Sequence, residues 1–147
     1  MTPASHDSLL TASMFEEDNF CFACGRENPF GLKLAFSCSG DRAYAEFRIT
    51  KNHQGYRDIV HGGIIAAILD EAMIKAASSK EGNAITAALS VRFKNPLMVG
   101  ESASVEAVIK KSGRRLIEAY ARIKGQDSRT VAEANGKLLT VGSDQGR

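Results

Sequence analysis

The stretch His61-Gly62-Gly63-Ile64-Ile65-Ala66-Ala67-Ile68-Leu69-Asp70 decides how this chain folds. Six consecutive apolar residues, 64–69, follow the glycine pair, and the pattern predicts a helix over about residues 62 to 79 that ends near Gly82. This helix is apolar on most of its sides, and a helix of that kind must be covered on most of its sides. We therefore expect a strongly curved sheet around it, or a second subunit that closes its open side.

The start of the helix and the acid within it predict a reactive site. Gly62 and Gly63 leave backbone N–H groups open to a ligand, and the helix dipole favours negative charge there, so they form a candidate oxyanion site. Asp70 has only apolar residues three and four positions away, which predicts a desolvated acid tuned to act as a base. Glu71 has Lys75 four residues on, so we interpret it as a solvated surface acid in an ion pair.

The spacing between these groups predicts a site shared between two chains. At a helical rise of 1.5 Å per residue, Gly62 lies about 10–12 Å from Asp70 along the axis. A base or nucleophile must approach within about 3–3.5 Å of the atom it attacks. One helix therefore cannot supply both groups to one reacting atom, whereas two helices related by a two-fold axis can.

Alternating apolar residues predict strands on both sides of the helix. Before it, the period fits strands at 32–36 and 43–49, with a hairpin turn at Ser39-Gly40-Asp41. After it, we expect four strands in a meander, with a tight turn at Ser112-Gly113. Their approximate ranges are 84–94, 103–111, 114–124 and 129–140.

These elements predict an α+β domain in which a curved antiparallel sheet surrounds one long helix. We assign residues 18–147 to this domain and residues 1–17 to an N-terminal arm. A chain of 147 residues fits one domain. No apolar run approaches the ~18–20 residues that cross a bilayer, and no signal-like segment opens the chain, so we expect a cytoplasmic protein with no membrane partner.

Net charge and cysteine content limit the kinds of ligand, metal and cellular compartment that we expect. The net charge of +2 is too small to indicate nucleic acid and is compatible with a small anionic ligand. Three cysteines, an odd number, fit a reducing compartment. Cys21 and Cys24 have the spacing of a metal or redox pair, but there is no second pair and Cys38 is a single thiol. A tetrahedral set would need distant residues such as His53, so we predict no metal site.

The sequence resembles the HGG-motif acyl-CoA thioesterases of the hotdog fold, in the phenylacetate-pathway (PaaI-like) branch. The resemblance rests on His61, Gly62, Gly63 and Asp70, and on two further blocks, CFACGRENPFGLKLAF at 21–36 and VRFKNPLMVGE at 91–101. It covers roughly residues 18 to 141. It implies a hotdog sheet around its helix, in a homodimer or a dimer of dimers.

The activity that the resemblance implies is hydrolysis of an aryl- or fatty-acyl-CoA thioester to the free acid and coenzyme A, with no cofactor. By matching positions, Gly62 donates its N–H to the thioester oxygen, and Gly63 allows the close turn and adds a second dipole. Asp70 is the base or nucleophile, and the hydroxyl of Thr86 orients the attacking water.

Other positions are less firmly assigned by the resemblance. Related enzymes place an Asn or Gln about six residues before the histidine, where this chain has Gly55; a one-residue shift would let the neighbouring Gln54 provide the amide. We favour a structural role for His61 at the helix start. Coenzyme A phosphates could contact Arg92 and Lys94, or the basic hairpin at 110–115 that contains Arg114 and Arg115, although such a hairpin is usually a solvated turn.

Several alternatives stay open at this point. Gly62 and Gly63 can be mere turn residues, Thr86 an ordinary strand residue, and Asp70 an acid satisfied by backbone groups. A different class of function is a non-catalytic hotdog module that binds acyl-CoA or a related ligand. Hydratase chemistry is disfavoured, because the acid and the histidine do not have the arrangement of those enzymes.

Overall fold

The computed structural model describes residues 15–141, in which one long α-helix lies against a six-stranded antiparallel sheet. The helix, α1, spans Gly62–Glu81, and Gly82 ends it with a φ of +85°. A short 3-10 helix precedes it. The strands are β1 (Ser37–Ser39), β2 (Arg42–Phe47), β3 (Ala84–Phe93), β4 (Ala103–Ser112), β5 (Leu116–Lys124) and β6 (Thr130–Thr140), and the 3-10 helix is Lys51–His53. The predicted α+β class, helix and downstream strands are confirmed; of the predicted arm, only residues 15–17 are described.

The strand order corrects the predicted four-strand meander. The order in the sheet is β1-β2-β4-β5-β6-β3, so β3 pairs with β6 at one edge and β4 lies between β2 and β5. A two-residue turn would force β3 and β4 to be neighbours. The connection at 94–102 is longer and lets the chain cross to another part of the sheet. The alternation of apolar residues predicts where strands form but not which strands become neighbours in the sheet.

The segment 32–36 was predicted to be a strand, and that prediction is wrong. Lys33 has a φ of +54°, which breaks an extended conformation. The N–H groups of Leu32 and Leu34 donate to the carbonyls of Phe22 and Ala23, at 2.8 and 2.9 Å. The segment is therefore tied to the preceding turn, and only Ser37–Ser39 joins the sheet.

The helix packs its apolar side on the sheet but keeps one stripe partly open. Ile68, Leu69, Met73 and three of its alanines are fully buried against the strands. Ala66, Ala67 and Asp70 are only partly buried. Residues 86–90 of β3, at the sheet edge, are exposed. The cover that we expected on nearly all sides of the helix is thus incomplete within residues 15–141. No helix within the described residues is long and apolar enough to span a membrane.

A partly buried ion pair holds the loop that follows β3. The Arg129 guanidinium donates to both carboxylate oxygens of Glu101, at 2.7 and 3.0 Å, and to the Pro96 carbonyl at 2.8 Å. The Glu101 side chain is only 9% exposed. Hydrogen bonds from Arg129 lower the pKa of this carboxyl to about 2. A Cβ on Gly125 would lie 2.6 Å from a Glu101 oxygen, so the adjoining turn requires glycine.

We predict that this pair makes stability depend on acid pH. Because the folded pKa of Glu101 lies below its ordinary value of 4.5, its contribution is present above that value and is lost as the pH falls toward 2. Glu101→Gln should cost about 1.5–3 kcal/mol at pH 7. It should also reduce the loss of unfolding free energy between about pH 5 and pH 2, measured by urea denaturation. Asp127→Asn, which removes an exposed partner of Arg129, is the control and should change little. Equal losses from both variants would contradict this assignment.

Candidate active site

The first turn of α1 leaves one backbone donor free. His61 caps the helix, with its Nδ1 accepting from the Gly63 N–H at 2.8 Å. The His61 carbonyl accepts from the N–H groups of Ile64 and Ile65, at 2.9 and 3.1 Å. The Gly62 N–H forms no hydrogen bond within residues 15–141. At this helix terminus, where the dipole favours an anion, Gly62 is therefore the available donor.

The two glycines serve different purposes. A Cβ on Gly62 would meet only the edge of the Phe93 ring, at 3.6 Å, so packing within the described residues does not itself require glycine at this position. A Cβ on Gly63 would lie 3.1 Å from Nδ1 of His61 and would push the capping ring away. The second dipole expected from Gly63 is thus engaged by the cap.

A cavity of about 790 Å³ opens at this helix start. Most of its lining is apolar, with few polar groups, which is typical of a site for a small organic ligand. Tyr56 and Phe93 are 86% and 57% exposed, an unusual state for aromatic rings in a single chain. The residues from the sequence analysis that line this cavity are Gln54, Gly55, His61, Gly62 and Lys94.

The loop before the helix is held by its own hydrogen bonds. The Gln54 side-chain oxygen accepts from the Asp58 N–H at 3.0 Å, and the Gly55 N–H donates to the Ile59 carbonyl at 2.7 Å. The His61 N–H donates to the His53 carbonyl at 3.1 Å. Gln54 therefore sits in the cavity wall with its amide oxygen engaged by the loop.

Asp70 and Thr86 come together away from this cavity. The Thr86 hydroxyl on β3 donates to Oδ1 of Asp70 on α1. Asp70 is partly exposed rather than buried, and Thr86 is exposed at the sheet edge. The desolvation predicted for Asp70 is therefore not seen within residues 15–141, which leave this side of the helix partly open. Neither residue lines the cavity that contains Gly62.

Glu71 is less exposed to solvent than the sequence predicted. It does pair with Lys75, at 3.9 Å, but its side chain is only 15% exposed. The turn at 18–25 covers this side of α1 and brings the sulfurs of Cys21 and Cys24 and a Glu71 oxygen within 4.8 Å of one another. Burial and the Glu71 carboxylate raise the pKa of the Cys24 thiol to about 12. Sequence reasoning missed this cluster because its members are far apart along the chain.

The basic residues predicted to contact coenzyme A phosphates lie in different parts of the structure. Lys94 lies in the cavity wall, with its ammonium 3.7 Å from a Glu133 oxygen. Arg92 is exposed on β3 and does not line the cavity. Arg114 and Arg115 lie in the exposed turn between β4 and β5, also outside that lining. Of these four basic residues, Lys94 is thus the one that lines the cavity at the helix start.

Residues 58–132, half of the chain, match the thioesterase superfamily. The chain belongs to this superfamily. Its fold is similar to that of smu.793 from Streptococcus mutans UA159 bound to acetyl CoA, with 17% identity, 74% of this chain and 89% of that chain covered, and a TM-score of 0.71.

Two other solved structures have the same fold. A hypothetical thioesterase from Streptococcus pneumoniae TIGR4, solved with coenzyme A, has 14% identity and a TM-score of 0.71, with 74% of this chain and 89% of that chain covered. The PaaI protein of the E. coli phenylacetic acid degradation operon has 23% identity and a TM-score of 0.68, with coverage of 74% and 83%. No curated protein matches the sequence. These similarities confirm the expected hotdog fold of this superfamily member.

We predict that the imidazole of His61 stabilises the start of α1, independently of any role in catalysis. His61→Ala removes the acceptor for the Gly63 N–H and should lower the free energy of unfolding by about 0.5–2 kcal/mol in urea denaturation. His61→Asn is the matched control, because asparagine is a good capping residue and should restore most of that loss. If alanine is as stable as asparagine at this position, the imidazole is not the cap.

Proposed function

We propose that this protein hydrolyses an acyl-CoA thioester to the free acid and coenzyme A, without a cofactor in the reaction. The observation that carries this proposal is the Thr86–Asp70 hydrogen bond, which joins a hydroxyl on β3 to the acid of α1. Membership of the thioesterase superfamily supports it. So do the acetyl CoA and coenzyme A found in the S. mutans and S. pneumoniae structures.

Asp70 acts on the attacking water. Because Thr86 donates to one carboxylate oxygen, the other carboxylate oxygen is available for a water O–H and the threonine oxygen can accept a second. The water oxygen adds to the thioester carbon, and its proton passes to Asp70. The C–S bond then breaks, and the proton moves to the coenzyme A sulfur. Direct attack by Asp70 through a mixed anhydride is the other route that these groups allow.

Gly62 stabilises the charge that develops on the thioester oxygen. Its N–H is the free donor at the start of α1, and Gly62 lines the cavity. Since Asp70 and Thr86 lie outside that cavity, the oxyanion donor and the base come from different subunits of a homodimer. Lys94, in the cavity wall, is the side chain we assign to a coenzyme A phosphate.

The face that carries Asp70 is the one we assign to the partner subunit. β3 pairs with β6 on one side, and its other edge is open within residues 15–141. An exposed strand edge of this length is usually covered. The partly exposed stripe of α1 with Ala66, Ala67 and Asp70 adjoins it. A partner on this face would bury Asp70 and supply the desolvation that one chain lacks.

One observation favours the alternative, a hotdog module that binds acyl-CoA without cleaving it. The Gly63 N–H is engaged by His61 and the Gln54 oxygen by Asp58, so Gly62 is the one backbone donor for the oxyanion that this helix start leaves free. Thiol release from a panel of aryl- and fatty-acyl-CoAs separates the two functions. A binding module would hold these ligands and release no thiol.

We predict that turnover depends on Asp70 and not on the acid beside it. Asp70→Asn should lower kcat by about 10²–10⁴ with the fold intact, because the base is removed while the hydrogen bond to Thr86 can be kept. Glu71→Gln is the matched control on the same helix and should retain most of the activity. Both variants are compared by thiol release, with circular dichroism to check folding. Similar losses from the two substitutions would refute the assignment of Asp70.

A further inference from the structure

The three cysteines of this chain lie in one groove, which the proposed reaction does not use. The groove has a volume of about 980 Å³ and lies between residues 15–24 and the part of α1 that carries Glu71 and Lys75. Cys21, Cys24 and Cys38 all line it, together with Glu71 and Lys75. The cavity at Gly62 shares none of these five residues.

The donor atoms in this groove have the spacing of a metal site. The sulfurs of Cys21 and Cys24 and a carboxylate oxygen of Glu71 all lie within 4.8 Å of one another. With Zn–S bonds of about 2.3 Å and Zn–O bonds of about 2.0–2.2 Å, two ligands of a tetrahedral zinc ion lie about 3.5–3.8 Å apart. Small side-chain rotations therefore suffice to bring the three atoms around one ion.

The turn that carries the two cysteines is built in advance. The Gly25 N–H donates to the Cys21 carbonyl at 2.8 Å, and the Glu27 N–H donates to the Asn19 carbonyl at 2.9 Å. A Cβ on Gly25 would lie 2.2 Å from the Asn19 oxygen, which no side chain tolerates. The turn thus holds both sulfurs on the side that faces Glu71, with or without an ion.

The chemistry of the donors selects the ion. Two thiolates and one carboxylate suit a borderline-soft divalent cation such as zinc and disfavour magnesium or calcium, which prefer oxygen ligands. The charges also balance: three anionic ligands and a divalent ion leave one negative charge, and the Lys75 ammonium lies 3.9 Å from Glu71. We propose that Cys21, Cys24 and Glu71 bind one zinc ion per chain.

The proposed site has a structural consequence and an open position. Binding would release the two thiol protons to solvent and tie the turn at 18–25 to α1 through metal–ligand bonds. The fourth position faces the groove and is taken by water or another small ligand. The sequence alone pointed to distant histidines such as His53 as further ligands, whereas the third donor is an acid, Glu71, that the fold brings to the cysteine pair.

Glu71 distinguishes a metal site from a simple redox pair. Oxidation of Cys21 and Cys24 to a disulfide by a peroxide or another disulfide would need no carboxylate beside the sulfurs. Cys38 gives a matched control, because its thiol lines the same groove but contacts the Lys75 carbonyl, at 3.8 Å, instead of the other two cysteines.

The test uses the full chain, reduced and freed of metal with a chelator. Zn²⁺ titration by calorimetry, and Co²⁺ titration followed by sulfur-to-metal charge-transfer absorption, should both give one ion per chain. Cys24→Ser and Glu71→Gln should each weaken zinc binding more than about 10-fold, whereas Cys38→Ser should bind like the wild type. Zinc should raise the melting temperature of the wild type and of Cys38→Ser, and circular dichroism shows that each variant is folded.

Several results would overturn the proposal. They are no stoichiometric uptake of either ion by the reduced wild type, an equal loss of affinity in Cys38→Ser, or unchanged affinity in Glu71→Gln. Formation of a Cys21–Cys24 disulfide by a protein that takes up no zinc would identify a redox pair instead. These readouts measure binding alone, so they stand whether or not the protein hydrolyses thioesters.

Discussion

The fixed rise of an α-helix separates the two chemical groups on which the proposed reaction depends. Asp70 follows Gly62 by eight residues, so the free N–H of Gly62 and the carboxylate of Asp70 are about 12 Å apart along α1. The sheet curves around the apolar side of this helix and leaves the Asp70 stripe and the edge of β3 open. The cavity, the partly exposed Asp70 and the open edge of β3 lie around one helix that residues 15–141 cover only in part.

Features that depend on neighbouring residues were predictable from the sequence. The apolar run after Gly63 and the glycine at position 82 define the bounds of α1, because helix periodicity and termination are local properties. The resemblance to thioesterases added the pair Asp70 and Thr86, which the structure joins by a hydrogen bond. Apolar residues at every second position over 103–140 predicted β4, β5 and β6, because this alternation is also a local property.

Features that depend on distant contacts were not predictable. The segment at 32–36 has the alternation of a strand, yet hydrogen bonds to Phe22 and Ala23 and the positive φ of Lys33 keep it out of the sheet. The pairing of β3 with β6 has no signal in either strand. Glu71 has the pattern of a surface acid, and only the turn at 18–25, about fifty residues earlier, buries it. In each case the deciding partner is remote in sequence.

The measurement that tests the shared site most directly is subunit mixing. Gly62→Val puts a branched side chain at the donor, against Phe93, and should displace the N–H; loss of an oxyanion donor costs about 10²–10³ in rate. Asp70→Asn removes the base. Neither homodimer should turn over appreciably. In an equal mixture about half of the dimers are mixed and each has one intact site, so roughly a quarter of all sites should regain full activity. If both variants fold, exchange subunits and show no recovery, then donor and acid act within one chain and the shared site is wrong.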